Sequence, residues 1–258
     1  MKKQNNPFKV EKIRAELATQ LRFSELFKTY SKSYPEIRDF NTSKLWDKLN
    51  FQKLVSRENN PMMRDRVDTV ASLIKGNNIK VLNIGFGSAI LEQIIFENSG
   101  NFKWYGIDIS PRSVRNACKK YPQGIFKIGT ITNIKHKASY FDYVVVLEVL
   151  EHIRPSQTFK ALKEIYRVLK RGGKAIVSVP LNEKLKEMVT KGENPNAHVR
   201  TYTYNLIKAE LRIAGFKILK EETLFAFNKN YKIKTIIAKY IFHGIKEPNN
   251  IILLAQKP

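Results

Sequence analysis

Cysteine is nearly absent from this chain: Cys118 is the single one among 258 residues. This excludes an internal disulfide framework and suits a reducing compartment. Cys118 falls in the helical pattern of residues 111–121, where we expect a small buried hydrophobe rather than a nucleophile. Long apolar runs are also lacking, since none approaches the ~20 residues that a membrane span needs. Residues 1–7 do not lead into the apolar stretch of a signal peptide, so we expect a cytoplasmic protein.

Acidic side chains are scarce as well. The chain has 23 Asp and Glu against 46 Lys and Arg, which gives a formal net charge of +23. Such a chain is drawn to phosphates, anionic lipid and acidic glycans. Most of the cations are lysines spread along the whole sequence, as a background compositional bias would give, whereas clustered arginines would indicate a dedicated site. The net charge nevertheless makes nucleic acid and an anionic membrane surface candidate partners.

Glycine does not occur before Gly76, and residues 1–77 are polar with apolar side chains at helical spacing. The last of these patterns begins at Pro61, where a proline suits the first turn of a helix. We interpret residues 1–77 as an N-terminal helical extension. It either forms a lid over a ligand or only packs on the core; the candidate lid contacts are Trp46, Arg57 and Met63.

Residues 78–258 alternate between short β-branched runs and helical patterns, which indicates an α/β fold with a parallel sheet flanked by helices. The expected strands lie near 79–84, 102–107, 124–128, 142–147, 173–179, 217–225 and 250–256. The expected helices lie near 88–98, 111–121, 156–170 and 203–214. The prediction is a Rossmann-like, doubly wound sheet of seven strands.

A glycine turn follows the first of these strands. Gly85 and Gly87 permit positive φ and let a ligand approach the backbone, while the N–H groups of the next helix attract an anion. A dinucleotide fingerprint requires a third glycine where Ile90 stands, and the small residue here is Ala89 instead. The turn therefore predicts a site for a small charged molecule and fits a nicotinamide dehydrogenase poorly.

The next apolar run ends in Asp108, where a carboxylate can accept hydrogen bonds from both ribose hydroxyls of a nucleoside. The glycine turn and this acid together resemble class I S-adenosylmethionine-dependent methyltransferases, and the resemblance extends over residues 78–258. Two positions depart from the family motif. Asn83 stands where an acid is usual and lacks its charge, and Ala89 replaces a third glycine, which is tolerable in a helical conformation.

The resemblance implies a fold, a cofactor and the residues that bind it. The seventh strand is expected to run antiparallel to the others. S-adenosylmethionine is the expected cofactor, with its methionine part at the glycine turn and its ribose at Asp108. The residues implied in cofactor binding are Asn83, Gly85, Phe86, Gly87, Asp108, Ile109, Thr130, Ile131 and Leu147.

Two glutamates and a histidine follow the fourth strand. Glu148, Glu151 and His152 lie at i, i+3 and i+4, so a helical turn would project them from one side. His198 follows the fifth strand, at the same edge of the sheet. The set resembles that of ubiquinone-pathway O-methyltransferases and of small-RNA 2′-O-methyltransferases, in which two glutamates and two histidines hold a metal. Binding of Mg or Mn, general-base or acceptor-pocket roles, and simple bracing of the loop all stay open.

Residues 228–246, between the sixth and seventh strands, form an insertion with five lysines and no acid. Apolar side chains recur there at helical spacing, at Ile233, Ile236, Ile237, Tyr240 and Ile241. A basic amphipathic helix of this kind can lie in a membrane interface or against an acidic partner. It can equally cap the edge of the sheet with its lysines in water.

These features together predict an S-adenosylmethionine-dependent methyltransferase that acts on a hydroxyl of a small or lipid-linked acceptor. His152, His198 or a bound metal would help to remove the hydroxyl proton. Two alternatives remain: an RNA methyltransferase, which the positive charge suggests, and a non-catalytic cofactor-binding or interaction module, which Asn83 and Ala89 suggest.

Overall fold

The structure is a computed structural model that describes residues 41–52, 60–98, 102–227, 229–241 and 246–258. Arg57 and the apolar pattern of the first 40 residues lie outside these ranges. Two helices precede the sheet, α1 (Ser43–Gln52) and α2 (Pro61–Leu73). The side chain of Asn60 caps α2 by accepting hydrogen bonds from two backbone N–H groups, and Pro61 occupies the first turn.

The sheet has seven strands, as the sequence predicts. They are β1 (Ile79–Ile84), β2 (Phe102–Asp108), β3 (Ile125–Ile128), β4 (Phe141–Leu147), β5 (Leu169–Pro180), β6 (Lys217–Leu224) and β7 (Asn250–Gln256). Their order in the sheet is β3-β2-β1-β4-β5-β7-β6. The first five strands are parallel, and β7 runs antiparallel to both neighbours. The antiparallel last strand is therefore confirmed.

Helices connect the strands and cover both faces of the sheet. They are α3 (Ile90–Glu97), α4 (Pro111–Lys120), α5 (Pro155–Val168), α6 (Leu185–Thr190), α7 (Tyr204–Ile213) and α8 (Tyr231–Ile236). The central strands are apolar on both sides, as a sheet covered on both faces requires. Leu82 and Val144 pack with residues of α5 and α7, whereas Val81 and Val145 pack with residues of α2, α3 and α4.

The strand order changes direction between β1 and β4. The chain leaves β1 towards β2 and returns to the other side of β1 at β4. The loops that follow β1 and β4 therefore diverge and leave a crevice at the carboxyl ends of the strands, which is where ligands bind in open α/β sheets. The glycine turn after β1, Asp108 at the end of β2, and the segments after β4 and β5 that carry the Glu/His set all lie at this edge.

Two expectations need correction. Cys118 is exposed rather than buried, because it lies on the outer side of α4. In the insertion, α8 continues into a π-helical turn, Ile237–Ile241, and it buries Thr235 and Ala238. Most of the predicted apolar stripe consequently faces away from the sheet, which disfavours a role as a simple cap.

No helix in the described parts of the chain is both long and apolar enough to cross a bilayer.

Candidate functional site

A cavity of about 740 Å³ opens at the carboxyl ends of the parallel strands. Its lining includes the whole predicted cofactor set and the whole Glu/His set. These are Asn83, Gly85, Phe86, Gly87, Asp108, Ile109, Thr130, Ile131, Leu147, Glu148, Glu151, His152 and His198. Trp46 of α1 and Met63 of α2 line the same cavity. Residues far apart in the chain meet there because parallel strands end at one edge.

The glycine turn leaves β1 and forms one wall. Gly85 has φ +71° and Gly87 φ +55°, in the region that favours glycine. A Cβ on Gly85 would approach Val149 Cγ2 to 2.5 Å, so this position requires glycine for space as well. Ala89 precedes α3 with φ +59°, which is a left-handed conformation. The condition under which alanine would be tolerable here, a right-handed helical conformation, is therefore not met, and the backbone of Ala89 is mildly unfavourable.

Asp108 joins the glycine turn to the end of β2. Its Oδ2 accepts a hydrogen bond from the backbone N–H of Gly87 at 2.9 Å, and its Oδ1 accepts one from Ser110 at 2.8 Å. Burial raises the pKa of Asp108, and these two bonds oppose that shift. Each carboxylate oxygen can accept a second hydrogen bond, so the side chain is held in place and retains capacity for a ligand.

An apolar pocket continues from Asp108. Phe86 meets Phe126 edge-on with ring centroids 5.2 Å apart. Ile131 is buried and also lines the cavity, and the Thr130 hydroxyl lies 3.2 Å from that of Thr132. Thr130 offers this part of the pocket a hydroxyl rather than a charge.

Glu148 does not project with Glu151 and His152. Its φ of +55° breaks any continuous helical turn, and the 3₁₀ turn that follows covers only Leu150–His152. One carboxylate oxygen of Glu148 accepts hydrogen bonds from Ser178 and Asn250, both at 2.9 Å. The other lies 2.9 Å from Arg66 of α2. The structure therefore groups Glu151 and His152 with His198, whereas Glu148 ties α2 to the sheet.

Glu151, His152 and His198 form a tight group whose possible ligand atoms all lie within 4.8 Å of one another. Glu151 Oε1 is 3.9 Å from His152 Nε2 and 4.0 Å from His198 Nε2. The Nδ1 atom of His198 lies 2.6 Å from Glu183 Oε2, and that of His152 lies 3.3 Å from the carbonyl oxygen of Ala197. Both acceptors select the tautomer with the proton on Nδ1, which leaves Nε2 as the lone-pair atom of each ring.

The carboxylate of Glu151 is fully buried, and neither of its oxygens has a hydrogen-bond partner among the described residues. Burial raises its pKa well above the ordinary value, and the neighbouring carboxylates of Glu148 and Glu183 add to this shift. An uncompensated buried carboxylate is costly. The group is therefore arranged for a positively charged or proton-donating ligand.

Three further residues surround this site: Glu183, Arg66 and Glu92. Glu183 follows β5 at the same edge as His198, and that position at a strand end is a signal that could have pointed to it. Arg66 lies in α2, and its partner Glu148 is too distant in sequence for any local pattern to link them. Glu92 lies behind Asn83 and looked like one more polar residue of α3.

The helix α1 reaches the site from outside the sheet. Trp46 meets the His152 ring edge-on at 4.7 Å. Asp47 accepts hydrogen bonds from the Ser110 hydroxyl and, at 3.0 Å, from the backbone N–H of Arg112. These bonds hold α1 against the start of α4, next to Asp108.

Comparison with known proteins identifies the core. Residues 82–177 match the family model described as "Methyltransferase domain". The uncharacterized methyltransferase YdaC of Bacillus subtilis (strain 168) is 30% identical over 105 residues, which are 40% of this chain and 57% of that relative. Over residues 82–177 the core is therefore similar to a methyltransferase domain. The matched segment runs from the glycine turn to β5 and so contains Asp108 and Glu151. Little more than half of YdaC is covered, so the comparison concerns the domain.

Solved structures share the fold of this methyltransferase domain at low sequence identity. A chain of the complex between the Haloferax volcanii Trm112 methyltransferase activator and a methyltransferase gives a TM-score of 0.65 at 14% identity, over 86% of this chain and 98% of that one. A SAM-dependent methyltransferase from Archaeoglobus fulgidus gives a TM-score of 0.57 at 17% identity, over 75% of this chain and 92% of that one. The cyclase SpnF gives a TM-score of 0.58 at 19% identity, over 76% of this chain and 81% of that one. A cyclase on the same fold means that the fold alone does not establish methyl transfer.

The glycine turn provides a direct test of the methyltransferase domain's geometry. We predict that Gly85→Ala lowers the free energy of unfolding by about 2 to 4 kcal/mol, because it adds a contact of 2.5 Å with Val149 to the strain of a positive φ. Gly172→Ala is the matched control: its φ is +73° and its Cβ would meet no atom within 4 Å. We expect it to cost only about 1 kcal/mol. Denaturant unfolding measures both, and equal losses would contradict the assigned contact.

Proposed function

We propose that the protein transfers a methyl group from S-adenosylmethionine to a hydroxyl of a small or lipid-linked acceptor. The observation that carries this proposal is the single cavity that holds both the glycine turn with Asp108 and the Glu151, His152 and His198 group. One end is suited to a nucleoside with an amino-acid tail, and the other to a hydroxyl that must lose a proton. Methyl transfer needs both in one water-poor space.

The residues present fit S-adenosylmethionine. The carboxylate of Asp108 is held in place and has capacity left for the ribose hydroxyls. Gly85 and Gly87 leave room for the methionine part against the backbone, since neither carries a side chain. Ile109, Ile131 and Leu147 provide apolar surface for the adenine and the middle of the cofactor. Family membership implies the same cofactor.

We further propose that Glu151, His152 and His198 hold a divalent cation, Mg or Mn. Three features support it: two Nε2 atoms converge on one carboxylate oxygen, the carboxylate is buried without a hydrogen-bond partner among the described residues, and each Nδ1 has an acceptor. Second acceptors of this kind orient histidine ligands at metal sites. When bound, the ion would lower the pKa of a coordinated hydroxyl.

The chain's own residues have separate tasks in this mechanism. Glu183 fixes the tautomer and the ring orientation of His198, and the Ala197 carbonyl does the same for His152. Trp46 covers the His152 ring and keeps water from it. We assign α1 and α2 the role of a lid, because Asp47 fastens α1 beside Asp108 and Arg66 fastens α2 to Glu148.

The transfer of labelled methyl groups tests this function. We predict that protein stripped of divalent ions shows no transfer from S-adenosylmethionine to a cell extract, and that Mn²⁺ or Mg²⁺ restores it. Glu151→Gln should lower the affinity for Mn²⁺ by about 100-fold or more, and Glu183→Gln by about 10- to 100-fold, because ligands and their orienting partners both set affinity. Glu193→Gln, an exposed carboxylate of the same loop region, is the matched control.

The extract is divided into lipid, RNA and small-molecule fractions before counting. Label in the lipid or small-molecule fraction supports the proposed acceptor, whereas label in RNA that falls steeply with salt contradicts it. Full transfer by the metal-free protein would contradict the cation site and leave the histidines to act without metal.

An exposed apolar surface next to the cavity supports a lipid-linked acceptor. Of the eight large hydrophobic side chains exposed in the described residues, four lie in α8 and the π turn: Ile233, Ile236, Tyr240 and Ile241. Tyr240 is 71% exposed and Ile233 63%. An apolar patch of this kind on an otherwise polar surface marks an interaction site.

The insertion is anchored at the cavity on both sides. Ala226 before it and Asn249 after it line the cavity. The hydroxyl of Tyr231 donates a hydrogen bond to Asp65 of α2 at 2.8 Å, and Met62 and Arg66 of the same helix also line the cavity. A surface on which α8 rests would therefore lie close to the cavity entrance.

The charge of the insertion favours an anionic membrane as the occupant of this surface. It has five lysines and no acid within residues 228–246, and of these Lys239 pairs with Glu222 of β6 at 3.6 Å. Residues 1–40 are themselves basic, with nine Lys and Arg against five Asp and Glu, so charge does not favour their covering it. Apolar and cationic side chains on one segment are the combination that binds the interface of an anionic bilayer.

Sedimentation with vesicles tests the membrane contact. We predict that the protein sediments with vesicles that contain about one third anionic lipid and stays in solution with neutral ones, because each lysine near the surface adds about 1 kcal/mol. Ile236→Ser with Tyr240→Ser should reduce binding at least about tenfold. Ile128→Ser is the control, since Ile128 is 62% exposed on β3. Equal loss in both variants, or binding to neither vesicle, would contradict the membrane contact.

A further inference from the structure

Glu92 is a buried carboxylate on the first turn of α3, behind the wall of the cavity. Its Oε1 accepts a hydrogen bond from Asn83 Nδ2 at 2.8 Å and another from Trp104 Nε1 at 3.0 Å. Its Oε2 has no hydrogen-bond partner within the part of the chain that the structure describes. A packing role alone would not call for a carboxylate here, because burying one is costly.

The bond to Glu92 determines what Asn83 offers to a ligand. Asn83 is nearly buried, yet it lines the cavity beside the glycine turn. An ionised carboxylate can only accept, so the amide must turn its Nδ2 towards Glu92. The atom of Asn83 that remains available to a ligand is Oδ1, which is a hydrogen-bond acceptor.

We propose that Glu92 and Asn83 act together in place of the acid that this motif usually carries at the end of the first strand. Asn83 Oδ1 accepts a hydrogen bond from the ammonium group of the cofactor's methionine part. Glu92, which lies behind Asn83, supplies the negative charge. Its hydrogen bond with Nδ2 also holds the Asn83 amide so that Oδ1 faces the ligand. Glu92 is therefore a positioning residue. This inference rests on the proposed cofactor and adds the group that recognises its amino-acid end.

The inference requires an ionised Glu92, which burial opposes and hydrogen bonds to its carboxylate favour. Burial raises the pKa of Glu92 to about 7, while the bonds from Asn83 and Trp104 oppose the shift. The nearby carboxylate of Asp108 also raises it slightly. A cationic ligand group beside Asn83 would favour the ionised form and would itself be held more tightly by it.

A pair of ligands isolates this contact. S-adenosylhomocysteine carries the ammonium, whereas methylthioadenosine has the same adenine and ribose but lacks the amino-acid part. We predict that Glu92→Gln weakens S-adenosylhomocysteine about tenfold or more in calorimetric titration and leaves methylthioadenosine unchanged. The substitution preserves size and keeps an acceptor for both Asn83 and Trp104. Glu97→Gln is the matched control, since it removes an exposed carboxylate from the same helix.

A variant in which positions 83 and 92 exchange their amide and carboxylate groups provides a second test. Asn83→Asp combined with Glu92→Gln moves the carboxylate from α3 to β1, while the new amide can donate to position 83 and accept from Trp104. We expect this double variant to bind S-adenosylhomocysteine within about threefold of the original protein, so the two substitutions are strongly non-additive. Thermal unfolding of each variant shows whether a loss of binding reflects a loss of folding.

The outcomes separate this inference from the proposed function. If the unaltered protein binds neither ligand, the proposed cofactor is wrong. If it binds both and Glu92→Gln weakens both equally, or neither, then Glu92 has no role in recognising the ammonium group. Failure of the double variant to restore binding in a folded protein would likewise overturn the shared role of the pair.

Discussion

The carboxylate of Asp108 is the constraint on which the candidate site depends. It accepts a hydrogen bond from the backbone N–H of Gly87, which fixes the glycine turn to the end of β2. It accepts a second one from the backbone N–H of Ser110, which fixes the start of α4. Asp47 then binds Ser110 and Arg112, so α1 is positioned by the same corner of the fold. Parallel strands that end at one edge make this concentration of contacts possible.

Buried carboxylates recur around the cavity, although acids are scarce in the chain. Glu92, Asp108 and Glu151 are all buried there, and burial raises the pKa of each. In a protein with a net charge of +23, these carboxyl groups gather acidic side chains at the cavity, and a cationic ligand there would favour their ionised forms. Such a cavity suits a cofactor with a sulfonium and an ammonium group, and a divalent cation beside it.

Much of the fold could be predicted because the signals are local. Apolar runs marked the seven strands, and the glycine turn and Asp108 marked the cavity edge. The orientation of Glu148 could not be predicted, because a positive φ at a non-glycine residue leaves no pattern in sequence. The partnership of Asn83 with Glu92, and that of Glu148 with Arg66, depends on how helices pack against strand ends. Cys118 was misjudged because helical periodicity alone did not show which side of α4 faces water.

Binding of S-adenosylmethionine at Asp108 is the central claim, and calorimetric titration of the cofactor into the full chain tests it most directly. The original protein should bind one equivalent, and Asp108→Asn should weaken binding by about tenfold to 100-fold, because one carboxylate oxygen that can accept from a ribose hydroxyl becomes an amide donor. The variant's thermal unfolding must show that it is folded. Absence of binding by the original protein, or equal affinity in a folded Asp108→Asn, would contradict the claim.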